Sequence, residues 1–498
     1  MESFHFLLAG FGAALSLQNL AFALAGCVLG TLIGVLPGLG PAAGTAILIP
    51  VTFTLDPTAA IIMLCAIYYG AMYGGTITSV LINVPGEAAS VVTCLDGYQM
   101  AKQGRGGTAL GIAAIGSFIG GIAATLALTA VALPLARLAL RFGPPEFFAL
   151  MLVGLCLVTG LAGRSLLAAL LMTVVGLLLS MVGIDPVRGA PRFTFGIADL
   201  YDGVGFIPVV MGLFGVGEIL LTAEAPHRQV IETKLRQLLP SREEWKRSMG
   251  AIGRGTALGF FLGLIPGVGA IIPTFMAYIL EKRLSEHPER FGHGAIEGVA
   301  APETANNAYA NASMVPLLAL GIPSSPTIAV LMGAFIMNGL TPGPFLFQER
   351  PDLVWAVIAS FFIGNVILLV LNLPLVGLWA SLLRVPSQYL CVGTLLFCII
   401  GAYSLKQSVF DVGLMIGFGL VGYVLRKLDF PLAPAVLALI LGPFMERSLR
   451  TSLEMSSGDF TIFVTRPICL ALLVIAAAIL ASSALRLAPA PLRDAESS

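Results

Sequence analysis

Long apolar runs follow one another along almost the whole chain, separated by short polar turns. Two of them are interrupted in the same way, at Gly34-Val35-Leu36-Pro37-Gly38-Leu39-Gly40 and at Gly263-Leu264-Ile265-Pro266-Gly267-Val268-Gly269. Proline removes a backbone donor and blocks helix continuation. Glycine admits positive φ and close backbone approach. The pattern therefore predicts a helix that stops, turns and restarts within apolar surroundings. In a membrane such a break survives only where protein or a water-filled cavity satisfies the freed backbone groups. Two broken segments at corresponding places in two halves of a chain point to a transporter's binding site.

Around the first break the apolar segments are 17–36, 42–54 and 59–73. A polar passage follows, Tyr73-Gly74-Gly75-Thr76-Ile77-Thr78-Ser79 and Asn83-Val84-Pro85-Gly86-Glu87, and the half closes on Lys102 and Arg105. Four further spans are read at 110–138, 145–161, 166–182 and 204–221, with a polar loop carrying Asp185, Arg188, Arg192, Asp199 and Asp202 before the last. The stretch 224–254 is the longest hydrophilic one and holds seven basic residues, which places it in the cytoplasm. The second break follows, with arms of about ten or eleven residues, roughly 15–17 Å or half a bilayer. Its own polar passage runs from Glu297 through Pro302-Glu303-Thr304-Ala305-Asn306-Asn307, Asn311 and Ser313 to Pro323-Ser324-Ser325. Later spans are read at 355–383, 390–403, 412–425, 431–444 and 462–485, with a polar loop after Glu446.

The flanking charges orient the two halves. The second break lies between Arg254 and Lys282-Arg283, whereas the first lies between flanks without Lys or Arg. Basic flanks stay inside, so the two copies are read as oppositely oriented re-entrant hairpins. The expected architecture is all-α and polytopic, with ten to twelve transmembrane helices plus two re-entrant hairpins in an inverted repeat, and an elevator-like mode of transport. The expected organisation is an interfacial segment at 1–17, repeat one at 18–106, scaffold helices at 107–223, the basic loop at 224–254, repeat two at 255–345, further scaffold helices at 346–486 and a disordered tail at 487–498.

Composition agrees with this class. Of 498 residues 57% are hydrophobic and only 11% charged, against about 25% charged in soluble proteins. Mean hydropathy is +0.94. Twenty-seven basic residues balance 27 acidic ones, which gives no reason to expect nucleic acid as a partner. The seven cysteines are scattered without a CxxC pair and read as small core residues. The N-terminus shows no cleavable signal. Neither an HExxH motif nor a nucleophile–base pair is present, so an enzyme is not expected.

The half-helices that restart after each break turn positive dipole ends toward the midplane, which suits an anion. The expected substrate-binding residues are Pro37, Gly38, Gly40, Asn83, Pro85, Gly86, Pro266, Gly267, Gly269, Pro323, Ser324 and Ser325. Oxygen-bearing side chains beside the breaks suit a coupling cation, Na⁺ or H⁺. These are Thr76, Thr78, Ser79, Glu303, Asn306, Asn307, Asn311 and Ser313. Glu303 carries the most weight, because an acid in an apolar stretch is costly unless used. No cofactor is expected, and the P-loop pattern is absent. The competing class is an ion channel or passive pore built on twin re-entrant hairpins.

Several motifs in order resemble the large membrane subunit of the tripartite tricarboxylate transporters. They are Gly34-Val35-Leu36-Pro37-Gly38-Leu39-Gly40-Pro41, Leu81-Ile82-Asn83-Val84-Pro85-Gly86, Pro302-Glu303-Thr304-Ala305-Asn306-Asn307-Ala308, Leu320-Gly321-Ile322-Pro323, and Leu441-Gly442-Pro443 with Glu446 and Arg450. The resemblance implies a permease of the bacterial inner membrane that works with a small four-helix membrane subunit and a periplasmic solute-binding protein. It implies cation-coupled uptake of a carboxylate such as citrate.

Overall fold

A computed structural model describes residues 2–36, 39–161, 165–185, 188–224 and 237–487. The first half holds α1 (Glu2–Ala14), α2 (Leu17–Val35), α3 (Gly40–Leu48), α4 (Pro57–Ile82), α5 (Val91–Lys102) and α6 (Gly106–Ala139). Next come α7 (Pro144–Leu161), α8 (Leu166–Ser180) and a short antiparallel hairpin of β1 (Gly183–Ile184) and β2 (Pro191–Arg192), with Gly183 opposite Arg192. α9 (Phe206–Val210) runs through a π-helical stretch, Met211–Val216, into α10 (Gly217–Glu224). Then follow α11 (Arg242–Gly263), α12 (Ile271–Leu284), α13 (Glu297–Ala312), α14 (Met314–Leu320), α15 (Pro326–Met337) and α16 (Leu346–Glu349). The chain ends with α17 (Pro351–Asn372), α18 (Val376–Leu382), α19 (Ser387–Lys406), α20 (Val409–Lys427), α21 (Ala433–Met455), α22 (Ile462–Thr465) and α23 (Pro467–Leu487). Among the described residues, eight helices are long and apolar enough to cross a membrane, and five more apolar helices are shorter. The protein is an all-α polytopic membrane protein.

The helices form two compact units, Met1–Arg141 with Val204–Lys427, and Phe142–Gly203 with Leu428–Ser498. In the first unit the core is built on two helix pairs that match each other. Gly26, Gly30 and Gly34 of α2 lie against the Met63, Ile67 and Ala71 carbonyls of α4. Gly255, Gly259 and Gly263 of α11, each 229 positions further along, lie against the Ala301, Ala305 and Tyr309 carbonyls of α13, each 238 positions beyond their counterparts. Apolar burial drives helices together weakly in lipid, so close backbone approach at small residues does the work. The match extends past the long helices. Asn83 ends α4 in the left-handed region at φ 54°, and Gly321, again 238 positions on, ends α14 at φ 70°. Pro85 and Pro323 follow at the same spacing.

Local signals set the boundaries. Asp56 caps α4, its carboxylate accepting the Thr58 N–H at 2.9 Å, with Pro57 in the first turn. Ser241 and Glu244 form a reciprocal capping box at the start of α11.

Several sequence expectations are corrected. The 224–254 stretch is not all loop: Glu224 closes α10, residues 225–236 lie outside the described residues, and Arg242–Gly263 is one helix of 22 residues. The arm before the second break is therefore about 33 Å long rather than half a bilayer. Its charged first turns stay helical because Arg, Glu, Lys and Met are good helix formers behind a strong cap. The polar loop read after Glu446 is likewise helical, since α21 continues to Met455 with Glu446 and Arg450 paired one turn apart. The apolar run 355–383 is split between α17 and α18 near Pro374. The N-terminal segment, whose interfacial reading is unaffected, is a helix packed along α17, with Phe6 stacked on Trp355 and Gly10 against the Trp355 backbone. The tail beyond 487 lies outside the described residues.

In the second unit the β1–β2 hairpin is tied to α21 by ion pairs. Arg192 forks onto Glu446 at 2.7 and 3.2 Å, and Arg450 forks onto Asp185 at 3.1 and 2.9 Å. Glu146, at the start of α7, pairs with Arg466 at 2.5 Å.

Candidate functional site

The polar passages meet where α13 crosses α4, α5 and α6. Every residue of α13 after Glu297 is buried, and so is almost all of α4. In that interior Glu303 accepts the Thr76 hydroxyl of α4 at 2.5 Å on Oε2 and the Thr93 hydroxyl of α5 on Oε1. One helical turn on, the Asn306 amide donates to Oε1 of Glu87 at 2.5 Å. Glu87 comes straight after Pro85-Gly86 and starts the short turn Ala88–Ser90 that leads into α5. Two carboxylates from the two halves of the chain thus share one buried cluster. Among the described residues, neither is ion-paired with a lysine, arginine or histidine.

That charge balance decides what the cluster can do. An isolated ionised carboxylate in a low-dielectric interior is very costly unless paired. The helix end beside Glu87 supplies at most about half a positive charge, which does not offset two carboxylates. The cluster also holds a spare acceptor: Oδ1 of Asn306, 1% exposed as a residue, has no hydrogen-bond partner among the described residues. Such an arrangement has the oxygen donors and the charge that a cation or a proton would satisfy.

Around it the polar groups continue. The Asn307 amide donates to the Ser117 hydroxyl at 2.7 Å, and that hydroxyl donates to the Glu303 carbonyl at 3.2 Å. Asn311 donates to the Gly121 carbonyl at 3.1 Å, and the Tyr73 hydroxyl donates to Oδ1 of Asn365 at 3.3 Å. Tyr73, Thr76, Ser117 and Asn372 line a cavity of about 10 Å³, room for roughly one water. The Asn372 and Asn311 Oδ1 atoms also lack partners among the described residues.

The structure therefore gathers Thr76, Glu303 and Asn306 of the expected cation ligands. Asn307 and Asn311 lie on later turns of α13, and each binds α6 instead. Ser313 donates to the Ala310 carbonyl at 2.8 Å and lies 3.3 Å from the Tyr68 hydroxyl. Thr78 and Ser79 return their hydroxyls to the Gly75 carbonyl of their own helix, at 3.0 and 2.9 Å. Sequence reasoning missed Glu87 and Thr93. Glu87 carried the same signal as Glu303, an acid in an apolar stretch beside a Pro-Gly turn. Thr93 carried none.

Of the expected substrate residues, Pro37 and Gly38 lie outside the described residues. Gly40, Gly267 and Gly269 have positive φ, at 63°, 82° and 69°, as the break chemistry requires. In the second half Gly269 donates its N–H to the Ser324 carbonyl at 3.2 Å, which also accepts the Tyr309 hydroxyl at 3.1 Å. Pro266 and Pro323 are buried on either side of this junction. Ser325 caps α15, its hydroxyl accepting the Ile328 N–H at 3.3 Å, while the buried Ser324 hydroxyl has no partner among the described residues. In the first half Gly86 is pressed against Gly34 and Gly75, where a Cβ would come within 2.5 Å of the Gly75 Cα. Asn83 and Pro85 stand half-buried at the end of α4. The half-helices that restart after the breaks are brought together in part, since α3 packs beside α15.

A family model described as the tripartite tricarboxylate transporter TctA family matches residues 20–437. The chain belongs to that family. The match takes in both breaks and both carboxylates; the Leu441–Arg450 motif lies beyond it. An uncharacterized 52.8 kDa protein in the TAR-I ttuC′ 3′ region of Agrobacterium vitis is 48% identical over 467 residues, 94% of this chain and 93% of its own. An uncharacterized protein in the TAR-II ttuC′ 3′ region of the same organism is 48% identical over 215 residues, 43% of this chain and 89% of its own. No solved structure matches the chain. TctA membership makes the protein a component of a tripartite tricarboxylate transporter, and its apolar helices make it a multi-pass membrane protein.

Proposed function

We propose that this TctA-family protein is the permease of a secondary transporter that takes up a small carboxylate across the bacterial inner membrane. Uptake is coupled to a cation, Na⁺ or H⁺, that enters the Glu87–Glu303 cluster. The observation that carries this reading is the pair of buried carboxylates that, among the described residues, have no basic partner, placed beside the Pro85-Gly86 turn. The substrate's anionic group is met by the half-helices that restart after Gly40, Gly86, Gly267-Val268-Gly269 and Pro323-Ser324-Ser325, whose dipoles favour negative charge. The matched packing of α2 on α4 and of α11 on α13 supports two equivalent halves. The basic residues around 224–254 support a cytoplasmic position for that stretch and opposite orientation of the halves. Movement of the hairpin-bearing region relative to the other helices, in elevator fashion, carries the site across. A small membrane subunit and a periplasmic solute-binding protein complete the system, as the tripartite family implies.

Reconstitution with both partners tests the reading. A panel of small carboxylates is offered with a Na⁺ gradient, with a pH gradient and with neither. Glu303→Gln and Glu87→Gln, which keep shape and hydrogen bonding, should each lose gradient-driven accumulation by at least tenfold. Accumulation at wild-type rate in both variants sinks the assignment of the cluster, and absence of trans-stimulated exchange in the unaltered protein sinks the carrier in favour of a pore.

A further inference from the structure

The small cavity beside Thr76 has polar walls of a single kind. Tyr73 and Thr76 of α4, Ser117 of α6 and Asn372 of α17 line it, all four buried, and the remaining wall is alanine, leucine and isoleucine. A hydroxyl has one proton to donate, and each of the three hydroxyls spends it elsewhere. Tyr73 donates to Oδ1 of Asn365 at 3.3 Å, Thr76 to Oε2 of Glu303 at 2.5 Å and Ser117 to the Glu303 carbonyl at 3.2 Å. Neither Asn365 nor Glu303 belongs to the cavity wall. Asn372 donates its amide N–H to the Leu368 carbonyl at 3.0 Å. A carbonyl only accepts, so it fixes which way the Asn372 amide is turned. The Asn372 Oδ1 is then left without a partner among the described residues. Three helices thus bring oxygen lone pairs to one spot, with the hydroxyl protons turned away.

That wall selects its occupant. A water would donate to two of the four oxygens and turn its own lone pairs on the others. Neutral alcohol, phenol and amide oxygens are too weakly basic to keep a proton, which goes to a carboxylate instead. Ca²⁺ takes about six to eight oxygens, carboxylates among them, and Mg²⁺ keeps several waters. A cavity of about 10 Å³ has room for roughly one water, and so for one dehydrated monovalent ion. Neutral oxygens that replace a hydration shell are how channel filters hold such ions. The balancing charge lies close by, since Thr76 is itself bonded to the Glu303 carboxylate.

We propose that this cavity is a cation site distinct from the Glu87–Glu303 cluster, in which Tyr73, Thr76, Ser117 and Asn372 hold one dehydrated Na⁺ on neutral oxygens. Glu303 balances the charge through Thr76 without touching the ion. The site does not depend on which ion enters the carboxylate cluster, or on the transport reading.

The test measures ion binding without substrate, partner proteins or transport. Full-length permease in nanodiscs is melted in equal concentrations of NaCl, KCl and choline chloride, and its binding of radiolabelled sodium is titrated. An ion that binds only the folded state raises the melting temperature. The unaltered protein should melt several degrees higher in NaCl than in choline chloride. Asn372→Leu removes an unpartnered buried oxygen, so in choline chloride it should melt at or above the unaltered protein. In NaCl its gain should vanish, and its sodium affinity should fall at least tenfold. Ala114→Val, at a buried alanine of the apolar wall, fills the cavity and keeps every hydrogen bond; it should lose the gain as well. A full sodium gain in both variants overturns the site and leaves the carboxylate cluster as the ion's place. No sodium effect on the unaltered protein overturns it, the cavity then holding water only. Equal gains in NaCl and KCl overturn the assignment to dehydrated Na⁺. A gain lost in Asn372→Leu, together with wild-type uptake in Glu303→Gln, sinks the cluster as coupling site and leaves this one standing.

Discussion

Gly253 and Gly255 lie two residues apart on α11, and the structure assigns them opposite responses to the same change. A Cβ at Gly253 meets nothing within 4 Å. A Cβ at Gly255 would lie 2.5 Å from the Ala301 carbonyl oxygen and 3.3 Å from its carbon and Cα. These are backbone atoms, which cannot swing away as a side-chain tip can. Restoring an ordinary contact of 3.4 Å moves α11 and α13 apart by about 0.9 Å at that point. Both substitutions by alanine gain the same helix propensity, about 1 kcal/mol. Gly255→Ala alone adds an overpacking cost of about 1–3 kcal/mol. Gly253→Ala is therefore expected to raise the melting temperature, and Gly255→Ala to fall below it by the full overpacking cost. Function separates them further. Ala301 is two residues from Glu303, and a shift of about 0.9 Å exceeds the roughly 0.5 Å within which site geometry must be held. Uptake should fall at least tenfold in Gly255→Ala and stay at wild-type level in Gly253→Ala. Thermal melting in detergent and uptake in vesicles read the two effects separately. Equal melting temperatures and equal uptake in the two variants would falsify the claim that carbonyl contact at the glycine positions sets the α11–α13 distance.

Two other changes probe Asp96 and Glu244. Asp96 of α5 is fully buried and accepts the N–H groups of Gly292, Gly294 and Ala295 on Oδ1 at 2.9, 2.7 and 2.8 Å, with the Tyr278 hydroxyl on Oδ2 at 2.9 Å. Asp96→Ala leaves these donors unpaired and should cost about 3–5 kcal/mol, seen as loss of folded protein on gel filtration. Asp96→Asn keeps an acceptor and should cost less than half of that. Part burial alone would raise the Glu244 carboxyl, but the Ser241 N–H and the Arg105 guanidinium outweigh it and hold the group below the ordinary carboxylate range. The folded value is the depressed one, so Glu244 contributes stability above about pH 4.3 that is lost as pH falls through the folded value. Glu244→Gln should make the acid side of the stability profile shallower, as read by melting temperature across pH.

The two breaks, the membrane class and Glu303 were legible in the sequence because each is a local exception: proline and glycine in apolar runs, and an acid where acids are costly. The spaced glycines of α2 and α11 were equally visible, but that they face carbonyls of α4 and α13 is a property of packing. Thr93 and Ser117 gave no sign, since a hydroxyl on a membrane helix can bond its own backbone, as Thr78 and Ser79 do. Asp96 reads as an ordinary polar residue of a surface helix until the fold brings the 292–295 turn onto it. The lengths of α11 and α21 were misread because charge was taken as the end of a helix, while capping and one-turn ion pairs carried both helices onward.

The repeat has one further consequence. Its scaffold is duplicated down to the left-handed residues that close α4 and α14, yet its acids are not. The position matching Glu87 in the second half is Ser325, and the position matching Glu303 in the first is Cys65. Each half therefore contributes one carboxylate, from a different position, to a single buried cluster. Neither half alone holds both carboxylates, so the cluster is complete only when the two halves are together.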